Sequence, residues 1–430
     1  MRDNNQTYKI PLTPFVKGES LLLKRISKFH SFFLPFLKNI LSKILDKPKT
    51  LFTNYSKIFI SPLQRGLGGL IITLLILTFP SCMDDDSLRG FERLNTEQSS
   101  GVFVLSEGNF MYSNASLSYY KPDSSKVLND VFYNTNALPL GDVAQSMTIH
   151  DSLAYVVLNN SGKIYIINKT TFKYVAKITG LSSPRYIHFV NDAKAYISDM
   201  YAKAITIVDP MTNSIIGTIN LDNHNPDREQ HSSEQMIGCN HKVYVACWSY
   251  DDKILVINSD TDAVEDSIKV GKQPNSMVLD KNNHLWVLSD GGFSGSSFGQ
   301  ENASLSQIDL STNTIIQTFT FDDIDASPSD LQINNSGDSL FFIYGNWGTG
   351  LSNAGVFTIN VNDTELPRMA IIPQQEGIFY ALGFDQKKSE IYVSNAKDYS
   401  QNGEVYRFSS SGTFIDAFPV GINPGSFCFD

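Results

Sequence analysis

From residue 101 onward, apolar and polar residues alternate over short stretches, and runs of Asp, Asn, Thr, Ser and Gly separate these stretches. Period-two alternation bounded by turn residues predicts half-buried β-strands. One phrase recurs: an apolar strand, a polar loop, an alternating strand, a tight turn and a further alternating strand. It is read in Ala195–Gly217, Val243–Gly271, Leu285–Phe319 and Ile391–Gly421. A repeat of about 40–50 residues with roughly four short strands is the mark of propeller blades.

Each copy can be indexed by the apolar residue that follows a small or Pro-containing turn. These residues are Met147, Ile187, Met236, Met277, Leu331, Leu382 and Phe427, spaced by 40, 49, 41, 54, 51 and 45 positions. Seven anchors predict an all-β, seven-bladed β-propeller over residues 101–430. The first strands expected, Gly101–Ser106, Ala115–Tyr120 and Val127–Tyr133, lack an inner strand before them, whereas Gly425–Phe429 has an inner-strand pattern and no blade after it. Pairing the two would close the ring and remove its open edges.

The first hundred residues read differently. Gly66–Phe79 is an uncharged apolar run preceded by Lys57 and Arg65. That is short for a membrane span and suited to a signal-peptide core. Phe79-Pro80-Ser81-Cys82 resembles a bacterial lipobox, which predicts lipidation of Cys82. Residues 1–81 are therefore expected to be an over-extended start plus a lipoprotein signal peptide, and residues 82–100 an acidic tether beginning Met83-Asp84-Asp85-Asp86. No methionine lies between Met1 and Met83, which is why the start reads as over-extended.

Charge sharpens the picture. Twelve Lys and Arg and three Asp and Glu precede Cys82, leaving 22 basic and 41 acidic residues after it, a balance of −19. Such a surface disfavours nucleic acid and other anionic partners. Of the remaining cysteines, Cys239, Cys247 and Cys428, an odd number invites buried thiols more than a disulfide framework, with a Cys239–Cys247 bridge left open.

In a propeller the turns before the inner strands and the loops joining second to third strands share one face. In register, the inner positions are Gln145, Arg185, Glu234 with Gln235, Asn275, Ser329 with Asp330, and Tyr380. The loops add Asn109, Phe110, Tyr112, Asn160, Tyr201, Trp248, Tyr250, Phe293, Trp347 and Tyr399. Rings supply apolar area and amides supply donors and acceptors, which suits a large, flat, neutral ligand with a polar fringe. Aromatic loop residues that merely pack on the next blade are the plain alternative for each. No HExxH, CxxC or phosphate-loop pattern is present, the histidines lack zinc-ligand spacing, and no catalytic residue or metal site is expected. A calcium-dependent, lactonase-like hydrolase using Glu234, Asn275 and Asp330 is the competing reading, as is a propeller that binds a glycan or a porphyrin-like ring.

Several motifs together resemble a family: the surface-exposed, cobalamin-capturing β-propeller lipoproteins of Bacteroidetes, within the wider YVTN-type propellers. They are Glu107-Gly108-Asn109-Phe110, Leu140-Gly141-Asp142-Val143-Ala144-Gln145, Ser183-Pro184-Arg185-Tyr186, Ser233-Glu234-Gln235-Met236, Cys247-Trp248-Ser249-Tyr250 and Asp290-Gly291-Gly292. The resemblance implies an outer-membrane lipoprotein, anchored through its lipid and facing outward, that binds cobalamin or a related corrinoid. It would pass this ligand to a TonB-dependent transporter without turnover. Arg185 would then answer the phosphate of the ligand's nucleotide loop. The loop Tyr344–Gly355 in the sixth blade is longer than the family suggests.

Overall fold

In a computed structural model, the described residues are 101–223, 230–345 and 353–430. The apolar run at 66–79, Cys82, the tether and Trp347 lie outside the described residues. What is described forms seven antiparallel four-stranded sheets arranged as a β-propeller. Every anchor residue falls on an innermost strand. These strands are Ala144–His150 in blade 2, Pro184–Asn191 in blade 3, Ser233–Cys239 in blade 4, Pro274–Leu279 in blade 5, Ser329–Ile333 in blade 6, Phe379–Asp385 in blade 7 and Pro424–Phe429 in blade 1.

Blade 1 is the closure. Pro424–Phe429 pairs antiparallel with Val102–Ser106, placing Phe429 opposite Val102 and Pro424 opposite Ser106. The inner strand of the blade thus comes from the far end of the sequence, as the unpaired patterns predict. The third expected strand of this blade is corrected. Only Lys126–Leu128 pairs, and Val131–Asn136 is a short helix. Asp130 takes a left-handed φ of 54° there and breaks the extended chain. The adjacent Val131 and Phe132 are both buried and join the core cluster between blades 1 and 2.

Alternation along each strand gives every blade two apolar faces, and the core consequently divides into seven clusters, one at each junction between blades. The junction of blades 7 and 1 is closed by its own cluster, which includes Val102, Tyr120, Tyr392 and Phe418. Tyr120 stacks on Phe418 at 3.8 Å and donates its hydroxyl to Asp416. Polar side chains stitch neighbouring blades: Ser146 Oγ donates to the Arg185 carbonyl (2.6 Å), Met277 N–H to Gln235 Oε1 (2.6 Å) and Ser394 Oγ to the Pro424 carbonyl (2.6 Å).

Cys239, Cys247 and Cys428 are free thiols. Cys239 pairs with Lys242 and Cys247 with Ser233, so the two candidate bridge partners sit at opposite ends of one hairpin. Among the described residues no helix is long and apolar enough to cross a membrane.

Candidate ligand-binding face

The inner strands of blades 2 to 7 begin on one face, and their first side chains meet near the axis. Arg185 Nε donates to both carboxylate oxygens of Glu234 (2.7 and 2.8 Å), and its Nη1 donates to Gln145 Oε1 (2.6 Å). Three predicted positions from blades 2, 3 and 4 therefore make one buried relay. Burial works against the Arg185 charge, and Glu234 together with Tyr186 and Glu107 outweighs it, holding the guanidinium pKa above its ordinary value. This alters the part foreseen for Arg185: its charge is already answered inside the fold. Glu107 and Asp330 also act electrostatically on residues of this centre, namely Arg185, Tyr186 and Tyr380. Arg185 is the one basic side chain named among three carboxylates, so its charge is fully answered and the centre does not attract anions.

Tyr380 closes the other side. Its hydroxyl donates to Glu107 Oε2 at 2.8 Å, and burial followed by the Glu107 charge pushes its pKa well up. The same two causes, burial and then Glu107, push Tyr399 to about 12. The Tyr399 ring meets Tyr380 edge-on at 5.8 Å, and its carbonyl accepts from Asn109 Nδ2 (2.9 Å). At 1% exposure, Tyr380 builds the floor and offers no surface of its own.

Two other predicted positions serve the joints between blades. Gln235 takes the Met277 N–H, as above. Asn275 Nδ2 donates to the Pro328 carbonyl (2.7 Å), and its Oδ1 accepts from Ser276. Glu234 and Asn275, two members of the set that a calcium-holding hydrolase would use, are thus engaged by protein partners. Asp330 stands at a left-handed φ of 59°.

The rim is aromatic. Tyr112 is 68% and Tyr201 42% exposed, while Phe110, Trp248, Phe293 and Tyr399 are half-buried. Tyr250, 8% exposed, packs edge-on against Phe293 at 6.2 Å. Asn160 Nδ2 donates to Asp142 Oδ2 (2.6 Å), and the Met111 N–H reaches the same oxygen (2.8 Å), which fixes the loop carrying Phe110 and Tyr112. Non-glycine residues in left-handed conformation gather on this face: Val143, Gln273 and Asn423 each stand immediately before an inner strand. A β-branched residue such as Val143 adopts φ of 54° only where surrounding structure compels it.

The site positions read from blade register leave out Glu107, Asp142 and Asp290, which entered only within the motifs of the resemblance. Asp290 is buried and accepts Trp248 Nε1–H (2.7 Å) and the Gly292 N–H (2.9 Å). Burial pushes its carboxyl up to about 7 against the pull of these donors. The signal that could have found Glu107 and Asp290 is the acidic residue directly after a second-strand apolar run, at Ser106-Glu107 and Ser289-Asp290. Open clefts are also lined by Asn334, Ser336, Phe341 and Thr358 and by Gly271, Ser304 and Thr318.

The model of a family described as a domain of unknown function, DUF5074, matches residues 100–422. No curated protein matches the chain. Solved structures share the fold. A quinonprotein alcohol dehydrogenase-like protein from Bacteroides thetaiotaomicron superimposes with a TM-score of 0.60 and 13% identity, over 77% of this chain and 78% of that one. A Bacteroides fragilis protein proposed to be a 6-phosphogluconolactonase gives 0.57 and 14%, over 78% and 99%. The periplasmic gluconolactonase PpgL of Pseudomonas aeruginosa gives 0.56 and 10%, over 77% and 99%.

Proposed function

The chain belongs to the DUF5074 family, and within that seven-bladed frame we propose that it is a capture protein of the outer-membrane surface that binds cobalamin or a related corrinoid across its loop-bearing face. It would hand the ligand to a TonB-dependent transporter, tethered by a lipid on Cys82. One observation carries this reading: a centre where the Arg185 charge is already answered by Glu234 and Gln145, ringed by exposed or half-exposed aromatic side chains. A wide, amide-fringed, nearly neutral disc matches such a surface, since rings cover its faces and amides pair with its edge.

Calorimetric titration of the purified protein with cyanocobalamin tests it. Saturable heat is expected, and Tyr112→Ala and Tyr201→Ala should each weaken binding by about 1–3 kcal/mol with unchanged thermal stability. Absence of heat at micromolar ligand would defeat the proposal.

A second reading, hydrolysis of a sugar lactone, has the lactonase-like neighbours behind it. Glu234 in its ion pair and Asn275 in its joint weigh against calcium there. Turnover of gluconolactone, abolished by Asp330→Ala, would favour this reading over capture.

A further inference from the structure

Blade 4 departs from blades 3 and 7 at one equivalent place. In blade 3, Asp199 lies opposite Pro184, the first residue of the inner strand, and accepts the N–H groups of Ser182 and Ser183 just before it (3.0 and 2.8 Å). In blade 7, Asn395 lies opposite Phe379 and accepts the Ile378 N–H (3.0 Å). The counterpart in blade 4, opposite Ser233, is Cys247. A thiol is a weak acceptor and cannot replace a carboxylate or amide oxygen in that task. Two residues before the inner strand, where blade 3 has Ser182, blade 4 has His231.

The imidazole does not stand alone. Its Nδ1 lies 2.6 Å from Asp251 Oδ2, in the loop that follows Cys247. One ligating atom from each of His231, Cys247 and Asp251 lies within 4.8 Å of the other two. The backbone fixes all three. The Trp248 N–H donates to the Ser232 carbonyl (3.1 Å), and the His231 N–H to the Leu221 carbonyl (3.0 Å). The second Asp251 oxygen accepts the Asp252 N–H at 2.8 Å. Tyr250, at a left-handed φ of 57°, turns the loop so that residues 247 and 251 address one point. Cys247 is fully buried and forms the floor, Asp251 is nearly buried, and His231 makes a partly exposed wall.

We propose that His231, Cys247 and Asp251 form a binding site for a divalent transition metal of the zinc class, with a fourth coordination position open toward the loop-bearing face. One sulfur, one nitrogen and one oxygen donor favour zinc or cobalt(II) over calcium and magnesium, which require oxygen donors throughout. Thiolate and carboxylate together neutralise a doubly charged ion. On binding, the Cys247 thiol proton passes to solvent, and a neutral His231 keeps its proton on the ring nitrogen that the metal leaves free. Hydrogen bonds that hold Asp251 and the two chain segments supply the support that ordered metal sites depend on.

The purified protein, stripped with a chelator and titrated with cobalt(II), provides the test. A thiolate-to-cobalt charge-transfer band should saturate at about one equivalent, vanish on adding zinc, and be absent in Cys247→Ser. His231→Gln, at a partly exposed position, should weaken the metal at least about 100-fold while leaving the circular dichroism of the metal-free protein unchanged. Absence of a saturable band in the native protein, or native affinity in His231→Gln, overturns the site. Should Cys247→Ser fail to fold, the His231→Gln affinity decides alone. A His–Asp bond beside an inert thiol predicts the overturning result throughout.

Discussion

Asp199 in blade 3 and Asp290 in blade 5 stand at the ends of equivalent strands, one register step apart. Asp199 lies opposite the first inner-strand residue, whereas Asp290 follows Ser289, which holds that place in blade 5. Both are almost fully buried, at 1% and 4% exposure. Successive strand residues point to opposite sides, so one step redirects the carboxylate. Asp199 turns into its own blade and accepts four backbone N–H groups, from Ser182, Ser183, Tyr201 and Ala202. Asp290 turns to the preceding blade and takes the Trp248 indole N–H. The first fastens two loops of its own sheet. The second is less well served by donors, and its proton affinity rises. Glu107 repeats the second pattern in blade 1, reaching back to Tyr380 of blade 7.

Asp199→Ala should separate the two most sharply. It strands several buried N–H donors at once and should cost about 3 kcal/mol or more in urea unfolding. A loss below about 1 kcal/mol would mean that water replaces the carboxylate without penalty. Asp290→Asn should act chiefly through pH. Folded Asp290 keeps its proton up to about 7, whereas the ordinary value is 3.8. Between those values the folded state binds the extra proton, so this group's contribution to stability falls as pH rises. The Asn variant removes that slope and should gain on the native chain from pH 4 to 7, by at most about 4 kcal/mol. Parallel stability curves for the two proteins would contradict it. Smallest is Trp248→Phe, which keeps a ring and deletes one donor: a cost of about 1 kcal/mol and a further rise in the Asp290 pKa, read from its carboxyl resonance. An unshifted titration would remove Trp248 from the account.

The blade count was legible because every anchor residue marks an inner strand, and the closure because both orphaned segments carried strand patterns. Val131-Phe132-Tyr133 misled for a physical reason: three apolar residues in a row satisfy a strand propensity and a helical turn equally, and the left-handed Asp130 chose between them. On the face, sequence register brought Gln145, Arg185 and Glu234 together correctly. It could not say that Arg185 would spend its donors on those two neighbours, or that Tyr380 would be covered. Which way a side chain turns at a strand end depends on a single step of register and on the loop beyond it, and composition carries neither. The same step conceals the difference between Asp199, Cys247 and Asp290, which look alike as residues ending an apolar run.

The pairing of Val102 with Phe429 has a directional consequence. Chain entering at residue 101 joins the disc at the end where the inner strands finish, and the Asp430 N–H meets the Gly101 carbonyl there. Tyr112, Arg185, Tyr201 and Trp248 occupy the opposite end, where those strands begin. The covalent link to whatever precedes residue 101 therefore leaves the propeller on the side away from its aromatic rim.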